Sequence, residues 1–144
     1  FPNSGPVPPK VGQKTTYTVH WKIINEGSDL TSVRVTSFLL PGVSWENKFN
    51  VVPSQSEIRY DPSLGRISWL IPTVPAGTGV ISPVFEAVFQ VGVTPSVNQV
   101  GQTPEILKEA VLEAIDNFTK ESVNLSRPGI NTATVSDSPG TVQP

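Results

Sequence analysis

The sequence predicts an all-β protein, an antiparallel β-sandwich, and three observations carry that expectation. Apolar and polar residues alternate at period two in several separate stretches, prolines and glycines fill the gaps between them, and the residues that replace charge favour strands and turns. The 144 residues include 28 Ser and Thr, 20 Val, 15 Pro and 11 Gly, whereas charged residues make up 15%, against about 25% in ordinary globular domains. With 37% hydrophobic residues placed inside alternating stretches, the chain is too apolar and too regular for disorder. Its length suits one domain that buries most of its apolar faces.

Taken in order, Phe1 to Lys10 holds four prolines and reads as an extended, proline-rich linker that connects rather than packs. From Thr15, Tyr17, Val19, Trp21 and Ile23 alternate with Thr16, Thr18, His20 and Lys22, the clearest strand in the chain. Asn25, Gly27, Ser28 and Asp29 supply a turn, and Val33, Val35 and Ser37 against Arg34 and Thr36 make a second strand that closes at Pro41-Gly42. Val43, Trp45 and Phe49 begin a third, ending at Pro53; Ser54 to Gly65 reads as a polar connection. Ile67, Trp69 and Ile71 form a short strand before Pro72, Pro75 and Gly77, and Val80 to Val93 is a long apolar strand broken by Pro83. In it Phe85, Ala87, Phe89 and Val91 oppose Val84, Glu86, Val88 and Gln90, so both faces are expected to be partly covered.

Residues 104 to 120 fit two periods. Ile106, Leu107, Ala110, Val111, Ala114, Ile115 and Phe118 recur at helical spacing behind the cap-like Thr103-Pro104-Glu105. The alternation of Leu107, Glu109, Val111, Glu113 and Ile115 with their neighbours reads equally as strand, and an inserted helix or hairpin at about 104–120 stays open. Ile130, Thr132, Thr134 and Ser136 make a last strand before a polar C-terminal linker at 137–144. That gives roughly seven to nine strands, enough for two sheets packed face to face.

Composition excludes several functions. Cysteine is absent, which removes disulfides, thiol nucleophiles and thiolate metal sites, and His20 is the only histidine. Methionine is absent even at position 1, so the expectation is an excised internal segment or a processed product. Ten basic and twelve acidic residues, net −2, do not make a nucleic-acid surface. No apolar run approaches the roughly 18 residues that cross a membrane, so direct membrane insertion is not expected.

A resemblance emerges from particular residues. VGQKTTYTVHWKIIN at residues 11–25, then Gly27, Val33-Arg34-Val35-Thr36 and Leu40-Pro41-Gly42-Val43, resembles the Ig-like repeat domain of unknown function found in bacterial cell-surface proteins. Ile67-Ser68-Trp69, Val74-Pro75-Ala76-Gly77-Thr78 and Asn131-Thr132-Ala133-Thr134-Val135 follow in that family's order. The chain departs from it at Ser37-Phe38-Leu39, where an Asp is usual, and in its long span from Val91 to Pro128. Thr94-Pro95-Ser96 and Asp116-Asn117-Phe118-Thr119 are similar to a variant in which strands occupy this region. The resemblance implies an immunoglobulin-like sandwich at 11–136, on the cell surface, with neighbouring domains of the same chain as partners and no assigned enzyme activity or cofactor.

Candidate sites are few. His20 lies on the polar face of its strand and reads as a surface histidine, and the carboxylates Glu26, Asp29, Glu46, Glu57, Asp61, Glu86 and Asp137 are scattered over different turns and strands. Asp29, Asp61 and Asp137 sit in turn-like contexts where calcium is conceivable, though no EF-hand loop is present. Lys14 or Lys22 with Asn131 defines the nearest approach to an intramolecular isopeptide pair, against which Lys22 falls on the polar face. Asn117-Phe118-Thr119 and Asn124-Leu125-Ser126 match the glycosylation pattern by chance, with Phe118 expected in the packing. No catalytic, cofactor or metal residue is assigned. The function expected is a non-catalytic structural spacer or stalk module of a larger bacterial surface protein, or an adhesin-like one, with a cell-surface protein or glycan as its candidate partner. The alternative is a carbohydrate-binding module that uses Trp45, Phe49 and Tyr60 on an exposed face.

Overall fold

The structure, a computed structural model, describes residues 1–134 and 140–144. Ten strands follow one another: β1 (Thr15–Ile23), β2 (Leu30–Phe38), β3 (Val43–Val52), β4 (Glu57–Asp61), β5 (Arg66–Val74), β6 (Phe85–Val93), β7 (Glu105–Leu107), β8 (Ala110–Asp116), β9 (Ser122–Arg127) and β10 (Ile130–Asn131). They form a three-stranded sheet in the order β1-β6-β3, a five-stranded sheet β4-β5-β2-β8-β9, and a two-stranded ribbon of β10 with β7, all antiparallel. The sandwich expected from the alternation is present.

Burial follows the period-two faces. Tyr17, Val19, Trp21 and Ile23 of β1, Ala87, Phe89, Val91 and Val93 of β6, Val33 and Val35 of β2, and Ile67, Trp69 and Ile71 of β5 form one core. Trp69 has no exposed surface, and its indole N–H donates to Ser56 Oγ at 3.0 Å. Trp21 meets Phe89 edge to face, centroids 5.0 Å apart. Gln90, on the other face of β6, is 2% exposed because its amide donates to Pro2 O and Asn3 Oδ1, each at 3.0 Å.

Residues 104–120 contain no helix. Ile106 and Leu107 are buried in β7, and β8 pairs with β2 and β9, with Leu112 opposite both Val35 and Leu125. The two periods shared the same apolar residues, and cross-strand pairing with β2 overrides the local helical pattern. The hairpin reading is the one realised, at β8 and β9, and Phe118 lies at its tip, 84% exposed instead of packed. β4 lies inside the segment read as a polar connection; its Ile58 and Tyr60 alternate with Glu57, Arg59 and Asp61. The long strand begins only at Phe85, leaving Val80 and Ile81 exposed in a loop. The last expected strand is reduced to Ile130–Asn131, with a single 3₁₀ turn at Thr132–Thr134; Val135 and Ser136 lie outside the described residues.

One polar hub joins the turns at one end of the sandwich. Asn25 is buried; its amide donates to the carbonyls of Ser28 (2.8 Å), Val74 (3.2 Å) and Pro75 (3.3 Å), and its Oδ1 accepts from Gly27 N–H. Its backbone N–H donates to Thr78 O at 2.9 Å and its carbonyl accepts from Gly77 at 2.8 Å. The hub ties the β1–β2 turn to the β5–β6 loop and supplies partners for carbonyls that burial would otherwise strand.

Trp69→Ala is expected to cost about 3 to 5 kcal/mol in denaturant unfolding, since it opens a cavity between the sheets and removes the bond to Ser56. A loss under about 1 kcal/mol would place Trp69 outside the core.

Candidate functional site

The sequence-level candidates do not converge. His20 is exposed on β1, with Nδ1 3.3 Å from Glu86 Oε2 on β6, and Lys22 Nζ lies 3.8 Å from the same carboxylate. Asp29 accepts from the backbone of Ala76 at 2.7 Å at one end of the sandwich, while Asp61 accepts from Ser63 at the other, so the two do not share a calcium site. Asp137 lies outside the described residues. Among the described residues no group of three or more His, Asp or Glu stands together to hold a metal ion. Among the described residues no helix is long and apolar enough to cross a membrane.

The isopeptide geometry is not assembled. Every lysine, at positions 10, 14, 22, 48, 108 and 120, is exposed. Lys14 Nζ bonds Glu46 at 2.9 Å, and Asn131 Oδ1 is occupied by the N–H of Ala133 at 2.8 Å. Of the two glycosylation-type asparagines, Asn117 accepts from Lys120 Nζ, and both are exposed.

Lys14 and Glu46 instead form a clamp across the three-stranded sheet. Ser44 Oγ donates to Glu46 Oε2 at 2.9 Å, and the clamp crosses the central strand at Gly92, where a Cβ would come within 2.8 Å of both Lys14 Cδ and Ser44 Oγ. Burial pushes the Glu46 carboxyl up, but the bonds from Lys14 and Ser44 and the charges of Lys14 and Lys48 outweigh it and hold the group below its ordinary value.

Trp45, Phe49 and Tyr60 do come together. Trp45 is stacked with Tyr60 at 5.3 Å and 13° and with Phe49 at 6.0 Å and 26°, and it leans on Phe89 at 5.4 Å. Trp45 is covered by Tyr60, Phe49 and Phe89, whereas Phe49 itself stays 46% exposed, and Trp45 with Tyr60 closes the seam between β3 of one sheet and β4 of the other. The outer face of the five-stranded sheet is concave, about 1010 Å³, lined by Arg34, Arg59, Arg66 and Lys108 with Asp61, Glu109 and Glu113. Two of its basic groups are paired: Arg59 bonds Glu57 at 2.9 Å and Arg66 approaches Asp61 at 3.7 Å.

The feature most suited to work on the chain as a whole is a clip between its two end segments. The opening residues, expected to connect rather than pack, bond the sandwich: Thr16 N–H donates to Ser4 O at 2.8 Å and Thr15 Oγ1 to Pro6 O at 2.7 Å. Further along, Lys10 and Gln143 form a parallel bridge, with Val11 N–H donating to Gln143 O at 3.1 Å and Gln143 N–H to Pro9 O at 2.8 Å. Val142, 1% exposed, is held on its other side by Gln102 O and Gly101 N–H. Sequence reasoning missed this clip; its one signal was Val142, an apolar residue in a polar tail.

These elements define an immunoglobulin-like β-sandwich. No family model and no curated protein matches the chain, whereas solved structures do. The 35 kDa C-terminal fragment of the major pilin GBS80 of Streptococcus agalactiae gives a TM-score of 0.56 at 8% identity, over 88% of this chain and 51% of that one. The RrgA Jo.In complex gives 0.56 at 7% identity, over 83% and 77%. The full-length major pilin SpaD from Corynebacterium diphtheriae gives 0.50 at 14% identity, over 86% and 32%. The chain spans about a third of full-length SpaD and half of the GBS80 fragment. The likeness is one of fold, shared with solved structures of bacterial major pilins.

Lys14→Met is expected to lower stability by about 0.5 kcal/mol at neutral pH. Because the folded-state Glu46 carboxyl lies below its ordinary value, its contribution is present above the carboxylate range and fades as pH falls through the folded-state value. Wild type and variant therefore converge in acid; a pH-independent gap would contradict the clamp.

Proposed function

We propose that the chain is a non-catalytic structural module of a larger bacterial cell-surface protein, a spacer or stalk unit that carries position and tension between neighbouring domains. On this reading the sandwich domain is 11–136, and the segments 1–10, bonded back onto it at Ser4 and Pro6, and 137–144 lead to those neighbours. The observation that carries this reading is the parallel bridge of Lys10 with Gln143. When two parallel end segments are pulled toward their own ends, their bonds are loaded side by side in shear and resist together. The low-identity likeness to pilin domains supports the surface setting and the adhesive or structural role.

Glycan binding is the second reading, and it draws on the gathering of Trp45, Phe49 and Tyr60. A sugar platform needs a bare ring face, and the mutual stacking of these rings at 5.3 and 6.0 Å favours packing.

Single-molecule stretching of the chain between handle domains tests the mechanical reading. Gln143→Pro deletes the N–H that bonds Pro9 O; it is expected to lower the unfolding force clearly while costing about 1 kcal/mol at equilibrium. An unfolding force equal to that of wild type would remove the clip from the load path.

A further inference from the structure

The two seams of the sandwich differ. On one side Trp45 and Tyr60 bridge the sheets. On the other, the three-stranded sheet stops at β1 while the five-stranded sheet continues through β8 to β9. The inward row Val35, Leu112 and Leu125 records the overhang, passing from 6% exposed through half-buried to 52%. Between β1 and the overhang runs a groove of about 420 Å³, lined by Trp21, Ile23, Leu107, Leu112, Leu125 and Ile130 among others.

The groove adjoins a free strand edge. Thr16 N–H bonds Ser4 O, so the backbone of Thr16 points away from β6, and the period of two gives Thr18, His20 and Lys22 the same direction. Beyond Thr16 the lead-in turns toward Gln90, and no backbone group among the described residues bonds the outward N–H and C=O groups of Thr18, His20 and Lys22. A strand added there would lie about 4.8 Å from β1 and about 10 Å above β8 and β9, at ordinary sandwich spacing. It would place alternate side chains on Leu112 and Leu125.

The charged residues lining the groove, Lys22, Lys108 and Arg127, are all basic, and His20 lies beside them. Glu86 pairs with His20 and Lys22 from β6, outside the groove. We propose that this open seam accepts an extended strand of a partner protein, apolar at alternate residues and acidic between them, which pairs with the edge of β1 and completes the three-stranded sheet. A second copy is the poorer occupant, because pairing β1 with β1 brings one basic rim onto another.

The test uses two synthetic peptides of about seven residues, one alternating valine with glutamate and threonine, the other with lysine in place of glutamate. Binding and amide exchange are followed by NMR on the whole chain. The glutamate peptide is expected to slow exchange at Thr18, His20 and Lys22 and to bind at least ~10-fold more tightly than the lysine peptide. His20→Pro, which removes an outward N–H, and Leu125→Glu, at an exposed edge position, are each expected to weaken it at least ~10-fold. Leu125→Glu keeps the comparison valid should the proline disturb β1. No binding at millimolar peptide, equal binding of both peptides, binding untouched by Leu125→Glu, or protection of the β1 edge that rises with protein concentration alone would each overturn the proposal.

Discussion

The unequal width of the two sheets governs the rest of the molecule: three strands must cover the inner face of five. Apolar area removed from water is the main favourable term in such a fold, so the covered strands β2 and β5 hold residues such as Trp69 and Ile67 with no exposed surface. At one margin the shortfall is met by aromatic rings, Trp45 on Tyr60. At the other, exposure rises from Val35 to Leu125 across a single cross-strand row.

The same constraint distributes rigidity. β6 has a partner on each side and anchors the three-stranded sheet, and the Lys14–Glu46 clamp crosses it at Gly92. Asn25 secures the turns at one end, and the bridge between Lys10 and Gln143 secures the chain ends at the other. The proposed mechanical role rests on a body held in this way at both ends. Among the described residues, Asp29, Asp61 and Asp116 accept from backbone N–H groups of turns, and Glu46 and Glu57 pair with Lys14 and Arg59.

Much of the fold was legible because apolar residues recur at period two from Tyr17 to Ile23 and from Ile67 to Ile71, and each of these inward residues is buried as its period requires. β4 escaped notice because a charged edge strand of five residues resembles a polar loop. Residues 104–120 were ambiguous for a physical reason: one set of apolar positions satisfied both periods, and only pairing with β2 decides between them. The end clip was almost invisible, since backbone bonds such as Gln143 N–H to Pro9 O require no particular side chain. The groove beside β1 was equally hidden, because it arises from strand order and from no motif.

Native-state amide hydrogen exchange tests the claim about sheet width most directly. Amides of β6 and those of β2 that pair with β5 are expected to exchange only through global unfolding, while β9 exchanges through local opening and the outward amides of Thr18, His20 and Lys22, which have no backbone partner, exchange without it. Protection in β9 equal to that in β6 would contradict the account, because it would mean that the five-stranded sheet is covered to its edge.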